Sequence, residues 1–291
     1  MTTLLFGCLL GGCTADYLTD EDCFPTKTTA NVHIDVDDSA PLCQESLPEN
    51  LIRRYVVKAY QGEAEVARYK GFEPDFSLTL PVGDVRVCAF VDYVDASERK
   101  SLHFLVDEFR ELLLRKRVDY EHNESGKMAY YGNADVTVKR GMATIDVTAS
   151  PVMGRYVLKA TDKTDHWLDH IKILYSTSIP SAIDGLTGDI CLSWSSIELQ
   201  LYDFDNPLCF DNIIATGKGI EFKVTVEVYD YQGKLVARTK NTSIRIRPGE
   251  ITEVSLPIFT NKEFEPKPEP KPEEGGITID SEFDETVVIE M

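Results

Sequence analysis

Apolar and polar residues alternate with a period of two along much of this chain. The clearest run sets Ile220, Phe222, Val224, Val226 and Val228 against Glu221, Lys223, Thr225 and Glu227. One face of such a strand is apolar and the other charged, as in a sheet with one wet side. Residues 84–94 repeat the pattern, with Val85, Val87, Val91 and Tyr93 on one parity and Arg86 and Asp92 on the other, which predicts a half-buried strand. Further strands are predicted at 55–60, 76–80, 134–138, 143–147, 156–159, 197–201, 235–237, 244–246 and 251–259. Turn residues punctuate them, as in Gln61-Gly62, Lys70-Gly71 and Asp230-Tyr231-Gln232-Gly233.

Two stretches depart from this period. In residues 107–117, Phe109, Leu112, Leu113 and Lys116 have helical spacing and the segment ends on basic residues, which predicts a short helical insertion. A helical turn is predicted over 165–170. Many short strands, frequent turns and little helix indicate an all-β chain of two tandem antiparallel β-sandwiches. Their predicted bounds are 49–152 and 153–260, with the junction at Pro151-Val152-Met153-Gly154. Residues 13–48 read as a polar tether carrying one short strand at 32–36.

The two ends add a different kind of signal. An apolar run from Leu4 to Leu10 gives way to Gly11, Gly12 and Cys13 and then to polar sequence, the shape of an export signal with a cleavage site. Leu10-Gly11-Gly12-Cys13 resembles a bacterial lipobox, so residues 1–12 are expected to be removed and Cys13 to carry lipid. The start, Met1-Thr2-Thr3, lacks the usual basic residue. No later run of about 18 apolar residues follows, so the lipid is the expected membrane attachment. At the other end, residues 261–276 alternate proline with Glu and Lys, which favours a stiff polyproline spacer. A segment at 277–291 follows, with short apolar alternations at Ile277-Thr278-Ile279 and Val287-Val288-Ile289. An isolated strand of that size has no stability of its own. It is expected to add to a sheet edge, either in its own second domain or in a neighbouring subunit.

The 49 acidic and 30 basic side chains give a formal charge of −19, which repels nucleic acid. In an exported protein Cys191 with Cys209, and Cys23 with Cys43, are candidate disulfides; each would be worth ~3 kcal/mol. Sequence alone does not fix that connectivity. Cys88 reads as a small buried hydrophobe.

The sequence carries few residues in catalytic or metal-binding spacing. His166 and His170 stand four apart, but Trp167 occupies the position where a zinc protease needs its glutamate. Asp184, Asp203, Asp205 and Asp211 lie in stretches read as loops, without the spacing of a calcium loop. No nucleophile elbow or phosphate-binding loop is present. No catalytic residue, cofactor or metal is therefore expected. Trp167, Trp194, Tyr202 and Tyr231 are candidates for stacking on sugar rings in a non-catalytic glycan-binding protein.

Several strand-and-turn motifs carry a family resemblance. They are Met153-Gly154-Arg155-Tyr156, Glu227-Val228-Tyr229-Asp230 leading through Gly233 to Leu235-Val236-Ala237-Arg238-Thr239, and Phe283-Asp284-Glu285 before Val287-Val288-Ile289. A weaker match is Tyr131-Gly132-Asn133-Ala134-Asp135-Val136. From about residue 51 onward the chain resembles a Bacteroidetes lipoprotein family of unknown function, itself similar to FimB/Mfa-type fimbrial anchor or minor subunits. The acidic Asp16, Asp20, Glu21 and Asp22 after Cys13 likewise resemble a surface-export signal of such lipoproteins. The resemblance implies two transthyretin-like sandwiches, an outer-membrane, cell-surface location and a role in fimbriae or adhesion. It also implies partnership with other fimbrial subunits by strand addition, for which Val287, Val288 and Ile289 are the candidate donor residues.

Overall fold

The computed structural model describes residues 26–260, apart from 101, 107–110, 115–121, 142–143, 165–166 and 196. The strands of the first half are β1 (Lys27–Val36), β2 (Leu51–Gln61), β3 (Ala64–Gly71), β4 (Asp75–Pro81), β5 (Gly83–Asp95), β6 (Phe104–Leu105), β7 (Glu111–Leu114), β8 (Ala129–Val138) and β9 (Thr144–Pro151). Those of the second are β10 (Met153–Ala160), β11 (Leu168–Tyr175), β12 (Ile179–Asp184), β13 (Ile190–Trp194), β14 (Glu198–Leu201), β15 (Cys209–Ile214), β16 (Ile220–Asp230), β17 (Leu235–Arg238), β18 (Thr242–Ile246) and β19 (Ile251–Leu256). A single turn of 3-10 helix, Pro41–Gln44, is the one helical element among the described residues. The all-β expectation holds.

The first seven-stranded sheet runs β3-β2-β5-β8-β9-β1-β4. It folds over where β8 passes to β9, which pair only at Tyr130↔Pro151 and Tyr131↔Ser150. Gly132 sits at this fold, where a Cβ would lie 2.0 Å from the Thr148 carbonyl oxygen, so no larger residue fits. Val32, Ile34, Leu78, Leu80, Ile145 and Val147 of one arm share a core with Val57, Ala59, Val87 and Val91 of the other. At the far edges Tyr69 of β3 stacks on Phe76 of β4, with ring centroids 3.8 Å apart.

The segment 27–48 is not a tether. β1 lies inside the sheet, parallel to β9 and antiparallel to β4, and buries Ala30, Val32 and Ile34. Its polar parity faces outward, which made it look like linker sequence. Residues 13–25 lie outside the described residues.

A third layer covers the outer face of the β2-β5-β8 arm. It is the sheet β13-β12-β7-β6, built from both halves of the chain. Phe104 meets Phe90 edge-on at 5.5 Å, and the Tyr131 hydroxyl donates to the Gly185 carbonyl at 3.2 Å. This layer overturns two expectations. β5 is buried on both faces rather than half-buried, and Asp92 is fully enclosed. The expected helix over 107–117 is a strand at 111–114, because Leu112 and Leu113 pair with Ile183 and Ala182 of β12.

The second half is a sandwich of the sheet β15-β10-β19 against β14-β11-β16-β17, with β18 also paired to β16. Tyr156, Leu158, Ile171, Ile173, Phe222, Val224, Ile244 and Ile246 fill its core. The expected helical turn over 165–170 is replaced at 168–170 by the start of β11. Its pairing with β16 shifts register between Leu168 and His170, so the extra Asp169 breaks the alternation that would mark a strand. The sandwiches are not purely antiparallel either: β10 pairs in parallel with β19 as β1 does with β9. In each half the first strand thus lies beside the last.

At the C-terminal limit of the described residues, Asp162 accepts hydrogen bonds from the backbone of Ile258, Phe259 and Thr260 and from the Thr260 hydroxyl. Burial alone would raise the pKa of this carboxyl, but those donors outweigh it and hold the pKa below the usual range. The nest fixes the chain where the proline-rich stretch begins. No described helix is long and apolar enough to cross a membrane.

Candidate binding surface

The outer face of the second half's five-stranded sheet carries a row of rings. The register sets His170 of β11 opposite Tyr229 of β16. Their rings stack with centroids 4.8 Å apart and planes 9° from parallel. Ile171 pairs with Leu201, so Tyr202, the next residue, falls beside His170, with ring centroids 6.1 Å apart. The Lys172 ammonium lies 5.5 Å from the centre of the Tyr229 ring.

The two stacked rings are held from behind. The Nδ1 of His170 bonds to the Asp169 carboxylate at 2.8 Å, while its Nε2 is buried with no hydrogen-bond partner among the described residues. The Tyr229 hydroxyl donates to Glu227 at 2.6 Å, and Glu227 pairs with Arg238 at 3.2 Å. Burial first, then the Glu227 carboxylate, push the Tyr229 phenol up to about 12, so it stays protonated.

Trp167 precedes β11 and Tyr231 follows β16. Because Leu168 pairs with Asp230, both fall at the same end of the sheet as His170 and Tyr229. Trp167 is 83% exposed, Tyr202 68% and Tyr231 66%; these are the exposed aromatic residues among the described ones. Asp230 accepts from the backbone of Gln232 and Lys234, and Gly233 takes φ +74°, which shapes the turn that presents Tyr231. Of the four aromatics singled out in the sequence, three therefore converge. Trp194 does not, since it packs against the first core. Sequence reasoning did not connect His170 and Tyr229 to the other rings, because the bulge at Asp169 hides their shared parity.

A separate recess of about 360 Å³ lies beside β5 and β8, lined among others by Tyr60, Asp84, Arg86, Asp135 and Leu186. Its polar groups bind one another: Arg86 forks onto Asp135 at 2.6 and 2.7 Å, and Thr137 donates to Asp84 at 2.7 Å. The Arg86 guanidinium holds the Asp135 carboxyl below the usual range.

The remaining sequence candidates scatter. Cys209 is a free thiol buried in β15, pushed up to about 12 by burial and then by Asp211. Cys191 lies exposed on β13, in the layer that covers the first sandwich, so the Cys191–Cys209 disulfide does not form. Closeness in sequence misled because the β12–β13 hairpin leaves its own sandwich. Cys43 is a free thiol, and its expected partner Cys23 lies outside the described residues. Cys13, His166, Val287, Val288 and Ile289 lie outside them too. Asp184 accepts from the backbone of Leu186 and Thr187, Asp203 from that of Asp205, and Asp211 is buried in an ion pair, so these acids form no common site. Among the described residues no group of three or more His, Cys, Asp and Glu is placed to hold a metal ion.

A sequence profile of the family of unknown function DUF6562 matches residues 23–291. The chain belongs to that family. No curated protein matches the sequence. Among solved structures, the chain is similar to a candidate adhesin from Bacteroides ovatus at 12% identity and TM-score 0.50, covering 88% of this chain and 95% of that one. It is also similar to the fimbrial anchor protein Mfa2 of Porphyromonas gingivalis, at 14% identity and TM-score 0.47, over 73% of this chain and 82% of that one. A third is a candidate polysaccharide-binding protein from Bacteroides thetaiotaomicron, at 10% identity and TM-score 0.49, over 72% and 79% of the two chains. The first of these establishes a shared fold along most of both chains.

Proposed function

We propose that this member of DUF6562 is a non-enzymatic cell-surface lipoprotein, held in the outer membrane by lipid on Cys13, that serves as an accessory or anchor subunit of a fimbrium or in adhesion. The observation that carries the reading is the fold shared with the Bacteroides ovatus candidate adhesin over 88% of this chain and 95% of that one. Leu10-Gly11-Gly12-Cys13 supports the lipid, and the spacer at 261–276 supports reach toward a neighbour. Cys13→Ala is expected to move the protein from the membrane fraction to the soluble one. Unchanged fractionation would reject the anchor.

The central place of β1 bears on assembly. The first sandwich takes its inner strand from its own chain, so its sheet has no gap there for a donated strand. We therefore assign the protein the role of supplying a strand, from residues 277–291, rather than receiving one in the first sandwich. Deleting them is expected to leave the melting temperature within ~2 °C and to abolish co-purification with surface fibres. Loss of the cooperative melt instead would mean that the segment belongs to its own sheet.

A further inference from the structure

We infer that Trp167, Tyr202 and Tyr231, around the stacked pair His170–Tyr229, form a binding platform for a neutral oligosaccharide. The inference rests on the adhesive reading above and gives it a ligand. Three observations point to sugar. First, the exposed rings gather at one end of one sheet, although they come from three separate places in the sequence. An exposed indole or phenol ring offers a flat apolar face with polar edges, which suits the C–H face of a pyranose ring.

Second, the apolar exposure here is aromatic. Among the described residues the large exposed aliphatic ones, Val82, Leu105 and Leu192, all lie elsewhere, at the β4–β5 turn, on β6 and on β13. A protein-docking core built on aliphatic packing is therefore not what this patch offers. Third, the rim carries acceptors. Asp169 and Asp203 flank His170 and Tyr202 in sequence; Asp169 bonds His170 through Oδ2, and Asp203 accepts from the Asp205 backbone through Oδ1. The second oxygen of each is an acceptor for sugar hydroxyls. These carboxylates and the formal charge of −19 disfavour sulfated or sialylated glycans, so a neutral ligand fits best.

The backing of the platform makes it rigid. The His170–Asp169 and Tyr229–Glu227 bonds fix the two inner rings, so little side-chain freedom is lost there on binding. The turn closed by Asp230 and Gly233 sets the position of Tyr231.

The test uses the full chain on an array of neutral glucose, galactose, mannose and N-acetylglucosamine oligomers, followed by titration of the best binder. Wild type is expected to bind at least one. Trp167→Ala and Tyr202→Ala are each expected to weaken that binding about tenfold or more. Leu192→Ala, at an exposed apolar position on another sheet, is expected to leave it unchanged. Both aromatic side chains are largely in solvent, so the variants should melt as wild type does. Absence of binding to every neutral oligomer, or binding unmoved by both aromatic substitutions, would overturn the platform. The outcome is independent of the Cys13→Ala fractionation: a soluble wild-type protein that binds glycan through Trp167 would sink the anchor and leave the platform standing.

Discussion

Replacing Asp92 by Ala is expected to cost about 3–5 kcal/mol, a large share of the stability of a typical domain. Asp92 and Arg54 are direct cross-strand partners on β5 and β2. The guanidinium forks onto the carboxylate at 2.9 and 2.6 Å, with side chains only 2% and 0% exposed. The pair shares the parity of Phe90, so it lies on the sheet face that the β6-β7-β12-β13 layer covers. Taking both charges out of water costs several kcal/mol, and mutual attraction with good geometry offsets that cost. Removing the carboxylate strips the enclosed guanidinium of the two hydrogen bonds that fork onto it. The double substitution Arg54→Met with Asp92→Leu is expected to recover stability to within about 2 kcal/mol of wild type, or beyond it, since apolar residues of similar volume suit a buried site. Urea denaturation of the four proteins reads the outcome. A loss below ~1 kcal/mol for Asp92→Ala would show that water reaches the pair and that the third layer is open there.

That ion pair also marks the limit of reading such a fold from its residues. β14 and β4 are visible in sequence because one face of each is wet, whereas the polar parity of β16, expected to be wet, is buried at Thr225 and Glu227. β5 shows the same alternation, but its second face is covered by a layer whose strands come from residues 104–114 and 179–194. Nothing local in β5 announces that cover except Phe90 and Cys88 among the polar parity. β15 was missed because Asp211 and Asn212 interrupt its apolar run, and both are buried as parts of a polar network. The motif Met153-Gly154-Arg155-Tyr156, visible at once as a family feature, finds its reason in three dimensions. A Cβ on Gly154 would lie 2.3 Å from the Arg247 carbonyl oxygen, Arg155 bonds Asn212 at 2.7 Å and pairs with Glu45, and Tyr156 meets Tyr175 in the core. The aromatic platform was half legible. Its exposed rings stand out as residue types, but their convergence depends on the register of β11 with β14 and β16, which sequence does not supply.

The motif leads into the joint between the two halves, where the second large effect is expected. Residues 122–128 of the first half lie along β15 of the second. Asn123 exchanges hydrogen bonds with Phe210 at 2.9 and 2.8 Å, taking φ +59°, a conformation that asparagine tolerates. The Asn212 amide donates to the carbonyls of Lys127 and Glu124 at 3.0 and 3.3 Å. At the centre the Lys127 ammonium meets Asp211 at 2.7 Å, with side chains 4% and 1% exposed. Behind it the Tyr175 hydroxyl lies 3.4 Å from the second carboxylate oxygen and 2.5 Å from the Tyr156 hydroxyl. Lys127→Met leaves the Asp211 carboxylate buried without its cation, and a loss of about 3–5 kcal/mol is expected. Because the loss falls on the joint, calorimetry should show the single transition broadening or splitting as the halves uncouple. Asp211→Leu added to Lys127→Met should cost less than the sum of the two single changes, since the pair acts as a unit. A nearby histidine gives an independent reading. Burial holds His122 below its ordinary pKa; Asp211 pulls it up and Lys127 pushes it down. Removing the lysine charge while Asp211 stays ionised should therefore raise the His122 pKa, and removing both charges should return it toward the wild-type value. Proton NMR of the imidazole follows both shifts. An unmoved His122 together with an unsplit melt in Lys127→Met would mean that the two halves are held by strand pairing and apolar contact alone.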